Sequence, residues 1–230
     1  MTELSGARIL VTGATGALGS RIAGHFAAQG AQLVLTGRDA DKLQALGIPA
    51  ELFTLDLSLP GAAASLIQTV TSAGQLDGVV AAHGVVAFGP VVELDSQTLG
   101  TLQALNQTSP IELITSAIPA LLASKAAGRE PFVLTISGVI ADMPTAGMAA
   151  YGASKAGLKS FVSATQRELR REGIRVLDTR PPHTETGLAS RAIAGVAPTM
   201  PQGLDPDAVA ARIVAAIVND DKDVPAELFS

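Results

Sequence analysis

The chain has 230 residues, a formal net charge of −5, no cysteine, no tryptophan and a single tyrosine. With 47% hydrophobic and 16% charged residues, it fits one globular domain (residues 1–230) with many buried strands and excludes a disordered or repeat-built chain. Scarce aromatics and an acidic balance argue against a single-strand stacking platform or a duplex phosphate-binding surface, and the lack of cysteine removes disulfides, thiolate metal sites and cysteine nucleophiles.

In chain order, a strand predicted at Ile9–Val11 runs into Gly13, Gly16 and Gly19 and then a helix over Ala17–Gln29, where Ile22, Ala23, Phe26 and Ala27 recur at helical spacing. Strand, glycine trio and helix start together predict a dinucleotide pyrophosphate site. Glycines let the turn tighten, the phosphate approach the backbone and the helix pack on the strand, and the helix N-terminus offers free N–H groups. Thr15 and Leu18 share that loop and are counted among its cofactor contacts.

A second strand, Gln32–Thr36, leads to Gly37, Arg38 and a helix over Asp39–Leu46. In such folds a carboxylate here receives the ribose 2′-hydroxyl of NAD, whereas an arginine receives the 2′-phosphate of NADP. Gly37 removes the carboxylate and Arg38 supplies the cation, so NADP(H) is expected over NAD(H); the alternative makes Arg38 a solvated residue paired with Asp39 or Asp41. A third strand, Glu51–Leu55, ends at Asp56 and Leu57. These either hold an adenine or place Asp56 as the N-cap of the next helix, Gly61–Ser72.

The fourth strand, Gly78–Ala82, precedes His83 and Gly84, and helices follow at Ser96–Leu105 and Ser109–Ser124. After the fifth strand, Phe132–Ser137, a helix over Ala149–Glu172 carries Tyr151 and Lys155. Their spacing puts phenol and ammonium on one face, where the cation can lower the phenol pKa and fit it for general acid or base work. The sixth strand, Ile174–Thr179, leads to two Pro/Gly-rich patches, Arg180–Thr186 and Ala194–Gly203, expected to form an active-site loop before a helix at Asp205–Val218. Pro225 leaves room for a short seventh strand at most. The alternation predicts an α/β fold: a Rossmann-type, doubly wound parallel sheet of six to seven strands with helices on both faces.

Across nearly its whole length the chain resembles the short-chain dehydrogenase/reductase family. The resemblance rests on the glycine loop, Asp56-Leu57, Gly84, Asn106 within Leu-Asn-Gln-Thr-Ser-Pro, Ser137, Tyr151 with Lys155, and Arg180-Pro181 followed by Thr186. It implies an oxidoreductase that moves a hydride between nicotinamide and a carbonyl or secondary alcohol. Tyr151 would exchange the proton at the substrate oxygen, Lys155 bind the nicotinamide ribose, Ser137 orient the carbonyl and Asn106 hold a relay water. Pro181, Thr184 and Thr186 would lie near the carboxamide and phosphates. It also implies a homodimer or homotetramer through the helices at Ser109–Ser124 and Ala149–Glu172, whose Ala123, Ala126, Ala127, Ala153, Ala156 and Gly157 permit close packing.

The chain departs from the family at four places. Ala17 stands where the loop usually has glycine; Ala81-Ala82-His83-Gly84 replaces Asn-Asn-Ala-Gly; and Pro181-Pro182 replaces Pro-Gly, stiffening the loop that carries His183. His83 either fills the gap left by the lost asparagine or lines the nicotinamide pocket. Counted back from Tyr151 without a gap, the family's serine falls at Gly138. Ser137 is expected to reach the substrate through a bulge that Gly138 permits; otherwise the site has no serine. A second reading is a weakly catalytic or non-catalytic dinucleotide sensor on the same fold. Three scattered histidines predict no metal site. Without a signal peptide or a membrane-length apolar run, a cytoplasmic protein with a small-molecule substrate is expected, binding neither nucleic acid nor membrane.

Overall fold

The structure, a computed structural model, describes residues 2–229. Six strands, β1 Arg8–Thr12, β2 Gln32–Gly37, β3 Ala50–Thr54, β4 Gly78–Ala81, β5 Phe132–Ile136 and β6 Arg175–Thr179, form one all-parallel sheet in the order β3-β2-β1-β4-β5-β6. The chain order reverses beside β1, which pairs with both β2 and β4. Ligands bind at the carboxyl edge beside such a switch point, and the candidate site residues of the sequence cluster there.

Alternation along each strand builds two cores. Ile9 and Val11 of β1, with Leu33, Val80, Leu134 and Leu177, pack under α1 (Ala17–Ala28) and α7 (Pro206–Val218). Leu10, Val34, Val79, Val133 and Val176 point the other way, under α3 (Ala62–Ala73), α5 (Ser109–Ala126) and α6 (Ala149–Leu169). Covering both faces explains why the strands read as nearly continuous apolar runs.

Short α2 (Ala40–Gln44) and α4 (Ser96–Gln103) complete the set. A π-helical turn, Ala104–Thr108, joins α4 directly to α5 and places Asn106 at its centre, fully buried. Such wide turns often sit at functional sites. What remains of a seventh strand is one parallel bridge between Thr179 and Val224, with Arg180 N–H donating to the Val224 carbonyl at 2.9 Å.

The end of β5 is irregular. Ser137 N–H and Gly138 N–H both donate to the Thr179 carbonyl, at 3.1 and 3.2 Å. Gly138 adopts φ 74° and ψ 164°, a region essentially open to glycine alone. A bulge-like turn at glycine is therefore present, as the sequence suggested.

Candidate active site

At the start of α1 the glycines meet real steric limits. Gly13 has φ 66°, and a Cβ there would lie 2.7 Å from the His83 Cα. A Cβ on Gly19 would stand 2.3 Å from the Gly13 carbonyl oxygen. Gly16 is the N-cap, with no side-chain cap and no acidic residue in the first turn, and Ala17 begins the helix. The first N–H groups of α1 are thus left for an anion. Gly19→Ala is expected to destabilise the fold by about 1–3 kcal/mol through overpacking, read as a drop in melting temperature of about 2–4 °C per kcal/mol. An unchanged melting temperature would refute the close approach.

Gly37 ends β2 against this loop, where a Cβ would come 3.1 Å from Thr15 Cγ2. Arg38 is exposed. Asp39 is occupied instead as the N-cap of α2, accepting from Lys42 N–H at 3.1 Å and pairing with the Lys42 ammonium at 3.2 Å. Among the described residues no carboxylate forms an ion pair with Arg38, whose charge acts weakly on the Asp56 carboxyl. Asp56 accepts from Ser58 N–H at 2.9 Å, and that bond, more than Arg38, holds its carboxyl below the usual range. The N-cap of α3 is Gly61, so Asp56 does not cap that helix, and Leu57 beside it is buried.

The β4 edge is held by His83. One ring nitrogen lies 2.7 Å from Thr12 Oγ1 and the other 3.1 Å from Ser109 Oγ, tying β1 to α5. Burial, aided by the Lys155 charge, pushes its pKa down to about 3 and keeps the ring neutral. His83 thus braces the sheet where the family uses an asparagine amide. Next to it, Gly84 leaves space for Asn106 Oδ1 and Lys155 Nζ, which a Cβ would meet at 2.9 and 3.4 Å. The Asn106 amide accepts from Val85 N–H and donates to the Val85 carbonyl, both at 2.9 Å, and reaches Ser154 Oγ at 3.1 Å.

Lys155 is buried, and its ammonium donates to the Ile136 carbonyl at 2.9 Å. Burial pushes its pKa down to about 8, opposed by the Asp178 charge. Tyr151 sits in the wall of a cleft of about 110 Å³ formed with Phe88, Val91, Leu94, Met148 and Ala194. Burial pushes the phenol up to about 12. The expected lowering by Lys155 does not operate in this arrangement, because the ammonium is turned to Ile136.

Ser137 differs most from expectation. Despite the turn at Gly138, its side chain keeps the facing of Thr135 and donates to Asp178 Oδ2 at 2.5 Å, fully buried. Ser137 is not part of the cleft wall that holds Tyr151. At Gly138 a Cβ would have room, its nearest neighbour being the Pro181 carbonyl at 3.8 Å, but the backbone conformation rejects a side chain. Asp178 itself was missed in the sequence. Its signal was two hydroxyls in alternation on a buried strand opposite a carboxylate in register, Thr135 pairing with Asp178, groups that cannot stay unpaired in a core.

The loop after β6 begins at buried Pro181, whose carbonyl accepts from Val139 N–H at 3.1 Å. Thr184 Oγ1 donates to the Pro182 carbonyl at 2.9 Å, and Thr186 Oγ1 accepts from Leu188 N–H at 3.3 Å. Bonds from Leu204 N–H to His183 and from Glu185 N–H to Leu204, at 2.8 and 2.9 Å, pin the loop base. The loop then returns over the cleft: Phe88 N–H donates to the Ala194 carbonyl at 3.0 Å, and Ile193 N–H to the Val86 carbonyl at 2.9 Å.

A family model described as short chain dehydrogenase matches residues 7–196. The chain belongs to the short-chain dehydrogenase family. Among curated relatives, dehydrogenase/reductase SDR family member 7B of Bos taurus is 28% identical, covering 94% of this chain and 72% of that protein. A hydroxysteroid 11-beta-dehydrogenase 1-like protein of Bos taurus is 32% identical over 84% of this chain and 67% of its own. Of solved structures, a short-chain dehydrogenase from Sphingobium yanoikuyae in complex with NADPH superposes with a TM-score of 0.84 at 26% identity, covering 96% and 87% of the two chains. A metagenomic short-chain oxidoreductase in complex with NADP gives 0.79 at 30% identity, over 98% of each chain. As a short-chain dehydrogenase, the chain is an oxidoreductase with a site for a nicotinamide dinucleotide. The glycine turn and the uncapped start of α1, with no acidic residue in its first turn, fit that group.

Proposed function

We propose that this short-chain dehydrogenase prefers NADP(H) and interconverts a carbonyl and a secondary alcohol on a compact, uncharged substrate. The observation that carries the reading is Tyr151, the only phenol of the chain, set in the wall of a cleft one helical turn from a buried lysine. When bound, the cofactor supplies the hydride. Tyr151 gives the proton to the substrate oxygen, and Lys155 holds the nicotinamide ribose. Asn106 fixes Val85 and Ser154 around them, while Gly84 keeps the approach open. The glycine loop with Thr15 and Leu18 holds the pyrophosphate, Asp56 and Leu57 the adenine, and Pro181, Thr184 and Thr186 the nicotinamide side. No serine hydroxyl assists Tyr151, since that of Ser137 is taken by Asp178. The cleft carries only acidic charges, Glu93 and Asp95, which disfavour anionic substrates by Coulomb repulsion.

Arg38 supports the cofactor preference: it is exposed, beyond a glycine that leaves no carboxylate to repel a 2′-phosphate. Thermal shifts with NADPH and NADH test this. NADPH should stabilise more, and Arg38→Ala should weaken NADPH by about 10- to 100-fold, the loss of a charge-assisted bond, while leaving NADH unchanged. Equal stabilisation by both cofactors, or an indifferent Arg38→Ala, would reject the preference. NADPH consumption across a panel of neutral ketones and aldehydes tests the activity.

A second reading, a dinucleotide sensor with little turnover, is favoured by one observation, the serine-free cleft wall. It is told apart by tight NADPH binding without turnover of any carbonyl. For assembly we propose pairing through the outer faces of α5 and α6, where Ala123, Ala126, Ala153 and Ala156 are exposed. Gly157 does not belong to that face: a Cβ there would strike the Gln107 side chain at 2.5 Å.

A further inference from the structure

Thr135 and Ser137, two apart on β5, both donate to the Asp178 carboxylate, at 2.7 and 2.5 Å. Ile136, between them, turns its carbonyl to the Lys155 ammonium. The carboxylate therefore grips the strand end from one side while the lysine is seated on it from the other. Asp178 is 6% exposed in its side chain, and a buried charge of this kind must be compensated.

Arg180 compensates it only in part. Its guanidinium fork is used by Asp223, at 2.8 and 2.7 Å, and its Nε faces Asp142 at 2.7 Å as an ion pair, off the hydrogen-bond direction. The contact from Nη1 to Asp178 is a long 3.5 Å. Lys159 draws on Asp142 as well. Beside Arg180, the other positive charge that acts on Asp178 is the Lys155 ammonium, with the weaker effect of the two. His83, on the β4 side of that ammonium, is neutral, and Tyr151, on its own helix, is a protonated phenol.

We infer that Asp178 is a positioning residue for Lys155: gripped by the Thr135 and Ser137 hydroxyls, it fixes the Ile136 carbonyl that seats the ammonium and sets a buried negative charge near it. Ser137 is thereby a partner of the lysine's counter-charge rather than of the substrate. The inference rests on the proposal that Lys155 holds the cofactor ribose.

The test is the NADPH dissociation constant, read from NADPH fluorescence from neutral to strongly alkaline pH, with no substrate present. In the native protein, affinity should fall as pH rises through about 8, where Lys155 loses its proton. Asp178→Asn removes the charge and should move that midpoint down by about one pH unit, the effect of losing one nearby opposite charge. Ser137→Ala should move it the same way by less, because the strand end it loosens holds the Ile136 carbonyl, the acceptor of the ammonium, less firmly. Asp178→Glu should bring it back toward the native value. A residue that served folding alone would lower the melting temperature without moving the midpoint.

Lys155→Ala is the control and should abolish the alkaline fall. If it does not, the cofactor reading of Lys155 is wrong, which is a separate failure. If it does, yet Asp178→Asn and Ser137→Ala both keep the native midpoint, the role of Asp178 is overturned. Should Asp178→Asn not fold, the double variant Thr135→Val with Ser137→Ala, which keeps every charge, decides the matter, and an unmoved midpoint there also overturns it.

Discussion

Tyr151→Phe is expected to reduce carbonyl turnover by about 10²- to 10⁴-fold, the range a positioned general acid contributes, and to leave NADPH affinity within about twofold. The phenol oxygen acts on the substrate only as negative charge develops there, so its loss is felt in the transition state and not in cofactor binding. Burial pushes the phenol up to about 12; it therefore stays protonated through neutral pH, the form that reduction needs. Reduction should run at a constant rate up to about pH 8 and decline above it as Lys155 deprotonates. Alcohol oxidation, which needs the phenolate, should instead rise with pH. A Tyr151→Phe enzyme keeping more than about a tenth of the rate, less than ~1.4 kcal/mol of barrier, would remove the tyrosine from its role.

Some of this site was readable in the sequence because the chemistry and the local pattern coincide. The strand before Gly13 and the helix after Gly19 carry the turn geometry themselves, and the Tyr151–Lys155 spacing needs only a helix to have meaning. The position of Gly37 and Arg38 at the end of β2, with Arg38 exposed, followed in the same way from their adjacency in the chain. Ser137 was not readable. Which face a residue takes at a strand end depends on whether the turn at Gly138 rotates the chain before or after it, and a single residue reverses the outcome. The chain does turn at Gly138, yet the hydroxyl stays with Asp178, because a buried carboxylate 41 residues away in sequence competes for it. The surroundings of Gly157 were hidden for a similar reason: the π-turn at Asn106 brings Gln107 against it. The phenol pKa was misjudged because helical spacing brings two side chains to one face without saying which carbonyl the ammonium will choose.

Arg180→Ala should produce the largest loss of stability, about 3–5 kcal/mol, the cost of breaking a buried ion pair by removing one partner. Its side chain is 7% exposed and lies among Asp142, Asp178 and Asp223, so alanine leaves the buried Asp178 with hydroxyl donors and Lys155 alone. For a chain of this size the melting temperature should fall by roughly 6–20 °C at neutral pH. The pH dependence identifies the cause. Burial raises the Asp178 pKa above the usual 3.8 even with Arg180 in place, and removing the cation raises it further. A group with a raised folded pKa gives its full stability below its unfolded value and loses it as pH climbs through the folded one. Asp223 changes in the same sense: its bonds to Arg180 hold its pKa below 3.8, a stability present above that pH in the native protein and missing in the variant. Both effects make the Arg180→Ala penalty largest at neutrality and smaller as pH falls, the Asp223 part disappearing only below 3.8. Denaturant unfolding of the two proteins from mildly acidic to neutral pH measures the difference directly. A penalty that stays constant with pH would mean that Arg180 contributes by packing its apolar stem, and that Asp178 does not depend on it for charge.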